Sequence, residues 1–290
     1  MKKWIIVALF SWGLLLQAQT FDDLLQNYIG ANKEAYLQPV VDLMTGSFNS
    51  GWSASGRLDS SFYLKFGVVG MAGYVTDNLK TFEGTTEFPF EPVTTRKVPT
   101  IVGDIDPVVV EGVNGTEYQF QGGRSLVLFP LAVPQLSVGG LLNSEISLRF
   151  FAYNFGGDFG RLQLFGISGK HDVGHYLGME NWFWNASYSF QAIEGGRYFD
   201  FTNHLISTEA GRSGTHWFYQ ASLGYQYGSL NAAYKEDPDD GGREITVKLK
   251  NNAPVFIGVG GGLKLGMLRL NLGINYAKVP FGEFGVHLHF

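Results

Sequence analysis

The residues best suited to metal chemistry are His171, Asp172 and His175, which lie within five positions of one another. A zinc-protease motif needs His-Glu-x-x-His on a helix, and here Asp172 stands in the place of the glutamate. On a strand, His171 and His175 would point the same way but lie about 13 Å apart, at ~3.3 Å per residue, too far to share one ion. We therefore predict polar strand or turn residues here, and no metal site in the chain.

The glycine-rich segments do not form a catalytic or nucleotide-binding motif. Gly258–Gly262 lacks the G-x-G-x-x-G spacing of a dinucleotide loop, and Gly166–Lys170 lacks the Ser or Thr that follows the lysine of a phosphate loop. No G-x-S-x-G sequence is present, and no grouping of serine, histidine and aspartate stands out. The acidic run 236–240 predicts a solvated loop, because the EF-hand spacing of a calcium site is absent. We expect no enzyme and no cofactor.

The composition argues against several other classes of protein. The formal net charge is −5, whereas a surface that binds nucleic acid is basic, so we expect no nucleic-acid partner. The chain has no cysteine, which excludes disulfides and a lipid-modified cysteine. Charged residues make up only 16% of the chain, compared with about 25% in a typical soluble protein. Few charges, with 15% aromatic residues, suit a protein that presents apolar side chains to lipid.

The first residues resemble an export signal. Lys2 and Lys3 precede an uncharged, mostly apolar run from Trp4 to Leu16, which is too short for a membrane-spanning helix of ~20 residues. We predict a signal peptide over residues 1–18, with cleavage near Ala18, and export to the periplasm. A short buried N-terminal helix is the alternative.

Three successive segments at the end of the sequence alternate between apolar residues and polar or small ones. Side chains on a strand point alternately to opposite faces, so each segment has one apolar face. Each is close to the roughly 9–11 residues of a tilted membrane strand. The apolar faces consist of Val255, Ile257, Val259, Leu263 and Leu265, then Leu268, Leu270, Leu272, Ile274 and Tyr276, and finally Phe284, Val286, Leu288 and Phe290.

Similar segments upstream predict an all-β, antiparallel transmembrane β-barrel of about 12 strands, within a range of 10–14. Strands are predicted from Trp182 and Trp217, with a shorter one at Ile245–Leu249 and weaker candidates at 61–74, 134–154, 161–176 and 199–209. A closed barrel can cross a bilayer with every backbone group paired. A soluble β-sandwich or lipocalin-like barrel is the alternative, but the sparse charges and the terminal Phe290 favour the membrane barrel.

Two regions are predicted not to be barrel wall. Residues 19–46 are expected to be helical, with Leu24, Leu25, Tyr28 and Ile29 on one face and Pro39 separating a second short helix, Val40–Met44. A helix in the periplasm, one that plugs the barrel mouth and one that packs under the barrel are the alternatives for this segment. Residues 77–134 hold six of the ten prolines, and proline interrupts strand ladders. We therefore predict a long loop at about 77–134 inside a barrel domain of residues 47–290, packing on another part of the protein, for which the lumen is one candidate.

The order of these segments is similar to that of an uncharacterised family of Bacteroidota outer-membrane β-barrels. The resemblance lies in Leu43–Trp52, Val133–Gly139, Glu145–Phe150, Phe165–Asp172 and the strands of Gly260–Phe290. This family is distantly similar to the barrels that take up long-chain fatty acids and other hydrophobic compounds. The resemblance implies a location in the cell outer membrane, embedded in its lipid bilayer. It supplies no catalytic or binding residues.

The favoured function is passive uptake or binding of a small molecule at the outer membrane. A hydrophobic molecule is one candidate. A structural barrel that anchors an envelope complex is the alternative. An outer-membrane lipase is disfavoured, because the sequence shows no nucleophilic side chain grouped with a general base. The strand ending at Phe290 is expected to contact the barrel-assembly machinery. Candidates for lining the lumen, by wetting it or by binding a solute, are Arg149, Lys264, Arg269, Asn271, Asn275, His287 and His289.

Overall fold

A computed structural model of the protein describes residues 30–52, 56–156, 160–196, 198–235 and 244–290. The predicted signal peptide lies outside these residues. The helices are α1 (Gly30–Asn49) and α2 (Asp77–Lys80), with short 3-10 turns at Val113–Gly115 and Val173–Leu177. The strands are β1 (Tyr63–Tyr74), β2 (Thr81–Thr85), β3 (Thr95–Pro99), β4 (Val108–Glu111), β5 (Glu117–Phe120), β6 (Leu128–Leu141), β7 (Ser144–Gly156), β8 (Gly160–Asp172), β9 (Trp182–Gly195), β10 (Phe199–Ser213), β11 (Trp217–Lys235), β12 (Glu244–Lys250), β13 (Val255–Leu265), β14 (Leu268–Ala277) and β15 (Val279–His289).

Ten antiparallel strands close into one barrel, because β1 pairs with both β6 and the last strand, β15. The ten strands of the described wall match the lower limit of the predicted range and are two fewer than the favoured 12. β12 and β13 both pair with β11, one after the other along its length, so together they occupy a single position in the wall. The hairpins β2–β3 and β4–β5 form separate small sheets.

The outer surface of the barrel is apolar and its interior is polar. On β14, Leu272 and Ile274 are 70% and 61% exposed, whereas the alternate residues Asn271 and Asn275 are 8% and 3% exposed. The apolar faces predicted for β13, β14 and β15 all lie outside. This is the reverse of a soluble barrel, which buries its apolar face.

The polarity reverses at the end of the barrel that carries residues 75–127, here called the upper end. On β8, the apolar residues Phe165 and Ile167 are exposed. Closer to the upper end of the same strand, the apolar Leu164 is buried and the charged Arg161 is exposed. On β12 the predicted apolar face points inward, since Val247 and Leu249 are buried while Lys248 is exposed. We call the outward-facing apolar surface the belt. The wall therefore continues above the belt at the upper end.

The height of the belt can be gauged on β11, where the outward face is apolar or aromatic from Trp217 to Tyr227. At ~3.3 Å per residue and a strand tilt of ~40°, this stretch spans about 25 Å, the height of the apolar band of outer-membrane barrels. Aromatic residues mark both of its limits, Trp217 and Tyr219 at one and Tyr225 and Tyr227 at the other.

The helix α1 is continuous through Pro39, so the predicted division at this residue is wrong. Proline removes one backbone donor from a helix interior, which is unfavourable in isolation. Here Tyr36, Leu37, Val41 and Met44 are buried in one hydrophobic cluster with wall residues, and this packing holds the helix on both sides of the proline. Among the residues that the structure describes, no helix combines the length and hydrophobicity needed to cross a membrane.

The predicted loop at 77–134 is too long at its end, because residues 128–134 belong to β6. Residues 75–127 form the upper insertion, which packs Val98, Val110 and Phe120 in the same cluster as α1. Pro130 and Pro134 lie within the wall strand and are paired on one side with Ala72 and Val68 of β1.

Candidate functional site

The N-terminal segment runs through the barrel from the upper end to the lower end, where Phe290 lies. Asn32 Nδ2 donates to the Thr85 carbonyl of the upper insertion at 2.7 Å. Midway, Asn49 Nδ2 donates to Gln226 Oε1 at 2.9 Å, and at the lower end Asp59 lies 3.4 Å from His289 Nε2. Residues 30–52 and 56–59 thus occupy the lumen, and we call them the plug.

Arg149 binds the plug at the end of α1. Its guanidinium, on β7, donates to the backbone carbonyls of Phe48 and Ser50 at 3.0 and 3.1 Å and to Gln135 Oε1 at 3.0 Å. It also stacks 3.6 Å from the ring of Trp52. Arg149 thus bonds two carbonyls at the end of α1 that have no helical partner, and Gln191 Nε2 also donates to the Phe48 carbonyl at 2.6 Å.

Buried ion pairs continue the polar lining. Lys65 and Glu145 are 2.5 Å apart, and Lys170 pairs with Glu209 at 2.9 Å. Lys170 Nζ also donates to the Trp52 carbonyl at 3.1 Å, which ties this pair to the plug. A buried charge is tolerated only when paired and hydrogen-bonded, so these pairs fix the side chains that face the lumen.

Glu283 and Asn275 bind the plug at Ser50 and Gly51. Glu283 accepts from the backbone N–H of Gly51 at 2.5 Å, and Asn275 Nδ2 donates to Ser50 Oγ at 3.2 Å. The plug approaches the wall so closely that a side chain at Gly46 would enter the ring of Phe281, and one at Gly228 would meet Thr45. At these levels of the described lumen, the plug packs directly against the wall.

A cavity of about 390 Å³ lies at the upper end, between the plug and the upper insertion. Its walls combine Ala35 and Phe82 with the polar residues Glu34 and Gln38. At one side, Lys278 Nζ lies 2.7 Å from Asp42 Oδ2. Nearby, burial raises the pKa of Tyr36 to about 12, so its hydroxyl stays protonated and donates to the Gly122 carbonyl at 2.9 Å.

The wall is not hydrogen-bonded along its whole length. β6 and β7 pair only from Gln135–Arg149 down to Leu141–Ser144, and no ladder pair joins residues 128–134 to 150–156, all of which the structure describes. β7 is paired with β8 over these same residues, and β6 is paired with β1. The upper part of the β6–β7 junction therefore has no ladder pairs among the described residues, and we call it the seam.

Two prolines explain the seam. Leu64 exchanges both backbone bonds with Phe290, so even-numbered residues of β1 face β15 and odd-numbered residues face β6. The odd residues of β1 pair with odd residues of β6, which leaves the even residues of β6 facing β7. Pro130 and Pro134 are even-numbered and have no N–H to donate across this junction.

The structure distributes the seven predicted lumen residues over three places. Arg149 and Asn275 contact the plug, as described above. Lys264, Arg269 and His289 converge with Arg57 and Asp59 on a shallow pocket at the lower end, which we call the lower pocket. Asn271 and His287 are buried just inward of this pocket, and their side chains retain polar atoms without a partner among the described residues.

Sequence reasoning did not single out five buried charged residues of the lumen. Lys65, Glu145, Lys170, Glu209 and Glu283 all stand on the face of a strand opposite its apolar residues. A charge at such an alternate position was the available signal, since only an enclosed polar interior accommodates it in a strand with a lipid-facing side.

The histidines considered for metal binding lie apart from the lumen. His171 Nδ1 is 2.8 Å from Ser144 Oγ, and His175 lies in the turn after β8, where its backbone N–H donates to Asp172. Within the described ranges, no three His, Asp or Glu side chains group as metal ligands would.

The chain belongs to a family of unknown function, DUF6588, whose model matches residues 1–290. The predicted membership of an uncharacterised family is thereby confirmed, whereas an origin in Bacteroidota stays a prediction. No curated protein matches the sequence.

Among solved structures, the chain is similar to several bacterial outer-membrane barrels. Ail of Yersinia pestis is 9% identical, with 79% of this chain and 99% of Ail covered and a TM-score of 0.24. OmpF of Salmonella typhi is 10% identical, with 82% and 99% covered and a TM-score of 0.26. The toluene transporter TbuX of Ralstonia pickettii is 7% identical, with 81% and 90% covered and a TM-score of 0.26. These values are low, and the similarities do not extend to function.

Proposed function

We propose that the protein is an outer-membrane barrel for passive uptake or binding of a small hydrophobic molecule, which enters the upper half of the lumen sideways, through the seam at the upper edge of the belt. The observation that carries this proposal is the missing ladder between β6 and β7 within an otherwise closed wall. Its location in the outer membrane and its export are part of the proposal.

Support for the membrane location comes from the polarity of the wall. Apolar side chains cover the outside over about 25 Å, while charged and amide side chains lie inside. Exposed apolar surface of this extent is unfavourable in water and favourable in hydrocarbon. Antiparallel ladders join each described wall strand to its two neighbours, and a closed barrel of this kind suits a bilayer.

The plug argues against a water-filled pore for polar solutes. In the lower half of the lumen, the plug accepts hydrogen bonds from buried wall cations, from Arg149 at Phe48 and Ser50 and from Lys170 at Trp52. The upper half is apolar instead, where Val133, Leu164 and Phe201 are buried around α1. A hydrophobic molecule therefore finds a matching environment only in the upper half.

The seam opens onto this apolar upper half. Leu131 and Phe151 face inward on its two sides and pack on the hydrophobic cluster. Leu128 and Phe150 face outward and are 51% and 61% exposed. A molecule that crosses between the strands thus meets apolar side chains on both faces of the wall and breaks no ladder bond.

Replacing Pro130 and Pro134 restores two backbone N–H donors at the seam and tests the proposal. In the variant Pro130→Thr/Pro134→Val, two N–H groups face β7, and we expect the ladder to extend and the seam to close. Uptake of the hydrophobic dye N-phenyl-1-naphthylamine by Gram-negative host cells should be several-fold faster with the wild-type protein than without it. The double variant should lose this increase.

Pro280→Val is the matched control, because Pro280 is a wall proline at the end of the β15 ladder, away from the seam. This variant should retain wild-type uptake. Wild-type uptake no faster than that of the empty host, or full uptake by the double variant, would reject the proposal.

The plugged lumen favours a second candidate, a structural barrel that anchors an envelope complex. Lys170, which is paired with Glu209 inside the wall, also donates to the Trp52 carbonyl and so holds the plug in the lumen. Absence of dye uptake, together with a stable partner recovered by pull-down, would support this candidate instead.

A further inference from the structure

We propose that the lower pocket binds a small oxyanion, a phosphate or carboxylate group, between Arg57, Lys264 and Arg269. This inference is independent of the proposed uptake through the seam, since it concerns the opposite end of the barrel. It rests on the arrangement of charges in the pocket and on the buried polar atoms behind it.

The pocket is built by the wall and the end of the plug together. Lys264 on β13 stands directly opposite Arg269 on β14, and Lys65 on β1 stands opposite His289 on β15. Directly opposite residues of antiparallel strands have Cβ atoms about 5 Å apart. The plug contributes Arg57 and Asp59, so the pocket exists only when the plug is in place.

Positive charge exceeds negative charge in this pocket. Lys65 is neutralised by Glu145, and Asp59 is the other carboxylate near the remaining cations, 3.4 Å from His289. Lys264 Nζ donates to Ser213 Oγ at 2.9 Å, and Arg269 donates to the Gly266 carbonyl. Arg57 donates to the Glu180 carbonyl. None of these three cations has a carboxylate partner among the described residues.

Two buried side chains behind the pocket have unused hydrogen-bonding capacity. His287 stands opposite Arg269 on the same inner face, and Asn271 is the next inward residue on β14. They are 3% and 8% exposed, and His287 Nε2, Asn271 Nδ2 and Asn271 Oδ1 have no partner in the described part of the chain. Buried polar atoms are normally satisfied, so these atoms indicate a polar occupant.

An oxyanion matches this set of groups. A guanidinium presents paired N–H donors that fit the oxygens of a carboxylate or phosphate, and a lysine adds a point charge. His287 and Asn271 lie on the same inner face as Arg269, directly opposite it and at the next inward position. Clustered cations at the surface also concentrate anions from solution. A cation would be repelled by the same groups.

Calorimetric titration of the full-length protein in detergent, with sodium phosphate and separately with sodium hexanoate, tests the inference. We expect saturable binding of at least one probe, weakened by added salt. Saturation with phosphate alone would indicate a phosphate-bearing ligand, and saturation with hexanoate would indicate a carboxylate. In Lys264→Gln/Arg269→Gln the dissociation constant should rise by about tenfold or more.

Lys97→Gln/Lys248→Gln removes the same charge from exposed positions at the upper end and should bind as the wild type does. Arg57→Gln changes the pocket without touching the wall and serves if the double variant does not fold. Wild-type protein that saturates with neither probe would overturn the inference. Equal loss of affinity in the pocket and control variants would do so too.

Discussion

At the scale of single residues, Arg149 connects the wall to the plug through more bonds than a surface arginine makes. It is fully buried, and its donors reach two plug carbonyls and the amide of Gln135. Glu283 binds the Gly51 N–H from the opposite wall. The alternation of β7 places Arg149 inside the barrel, but no feature of the sequence identifies residues 48–51 as its partners.

Arg149→Met should destabilise the protein by roughly 3 kcal/mol or more, because two buried carbonyls and Gln135 lose their charged donor. Unfolding by urea in lipid vesicles, followed by tryptophan fluorescence, measures the change. Arg161→Met is the control, since Arg161 is exposed on the outside of β8 and should change stability little. Equal unfolding midpoints for the two variants would contradict the role assigned to Arg149.

At the scale of elements, α1 fits inside the barrel because the wall opposite it lacks side chains at critical points. A Cβ at Gly228 on β11 would lie 1.9 Å from Thr45 Oγ1 and 3.0 Å from Thr45 Cβ. Thr45 is itself fully buried and bonded to the Val41 carbonyl. The fit of helix and strand leaves no room for a larger residue.

Gly228→Val should displace α1 and lower stability by about 1–3 kcal/mol, the usual effect of overpacking. Planar-bilayer recordings should then show conductance steps that the wild type lacks, since the plug no longer fills the lumen. Gly169→Val is the matched strand control, because Gly169 faces outward with nothing near its side. A silent bilayer with the Gly228 variant would show that the plug is not held by this contact.

At the scale of the whole molecule, the sequence predicted the barrel because period-two alternation survives wherever one face meets lipid. It overestimated the strand number because β12 also alternates, although its apolar face packs inward above the belt. It misplaced residues 128–134 because prolines usually exclude strands, whereas Pro130 and Pro134 face an unpaired junction. A helix that plugs the barrel mouth was one of the interpretations of residues 19–46, but its contacts could not be predicted, since they join residues more than a hundred positions apart, such as Phe48 and Arg149.

The central claim is that the apolar belt faces hydrocarbon, and nitroxide labels on β8 test it most directly. The chain has no cysteine, so single cysteines at Ile167, in the belt, and at Arg161, above it on the same strand, can be labelled specifically. In liposomes, the label at 167 should collide mainly with dissolved oxygen and the label at 161 with a water-soluble nickel chelate. Equal access of the nickel chelate to both labels would contradict the account.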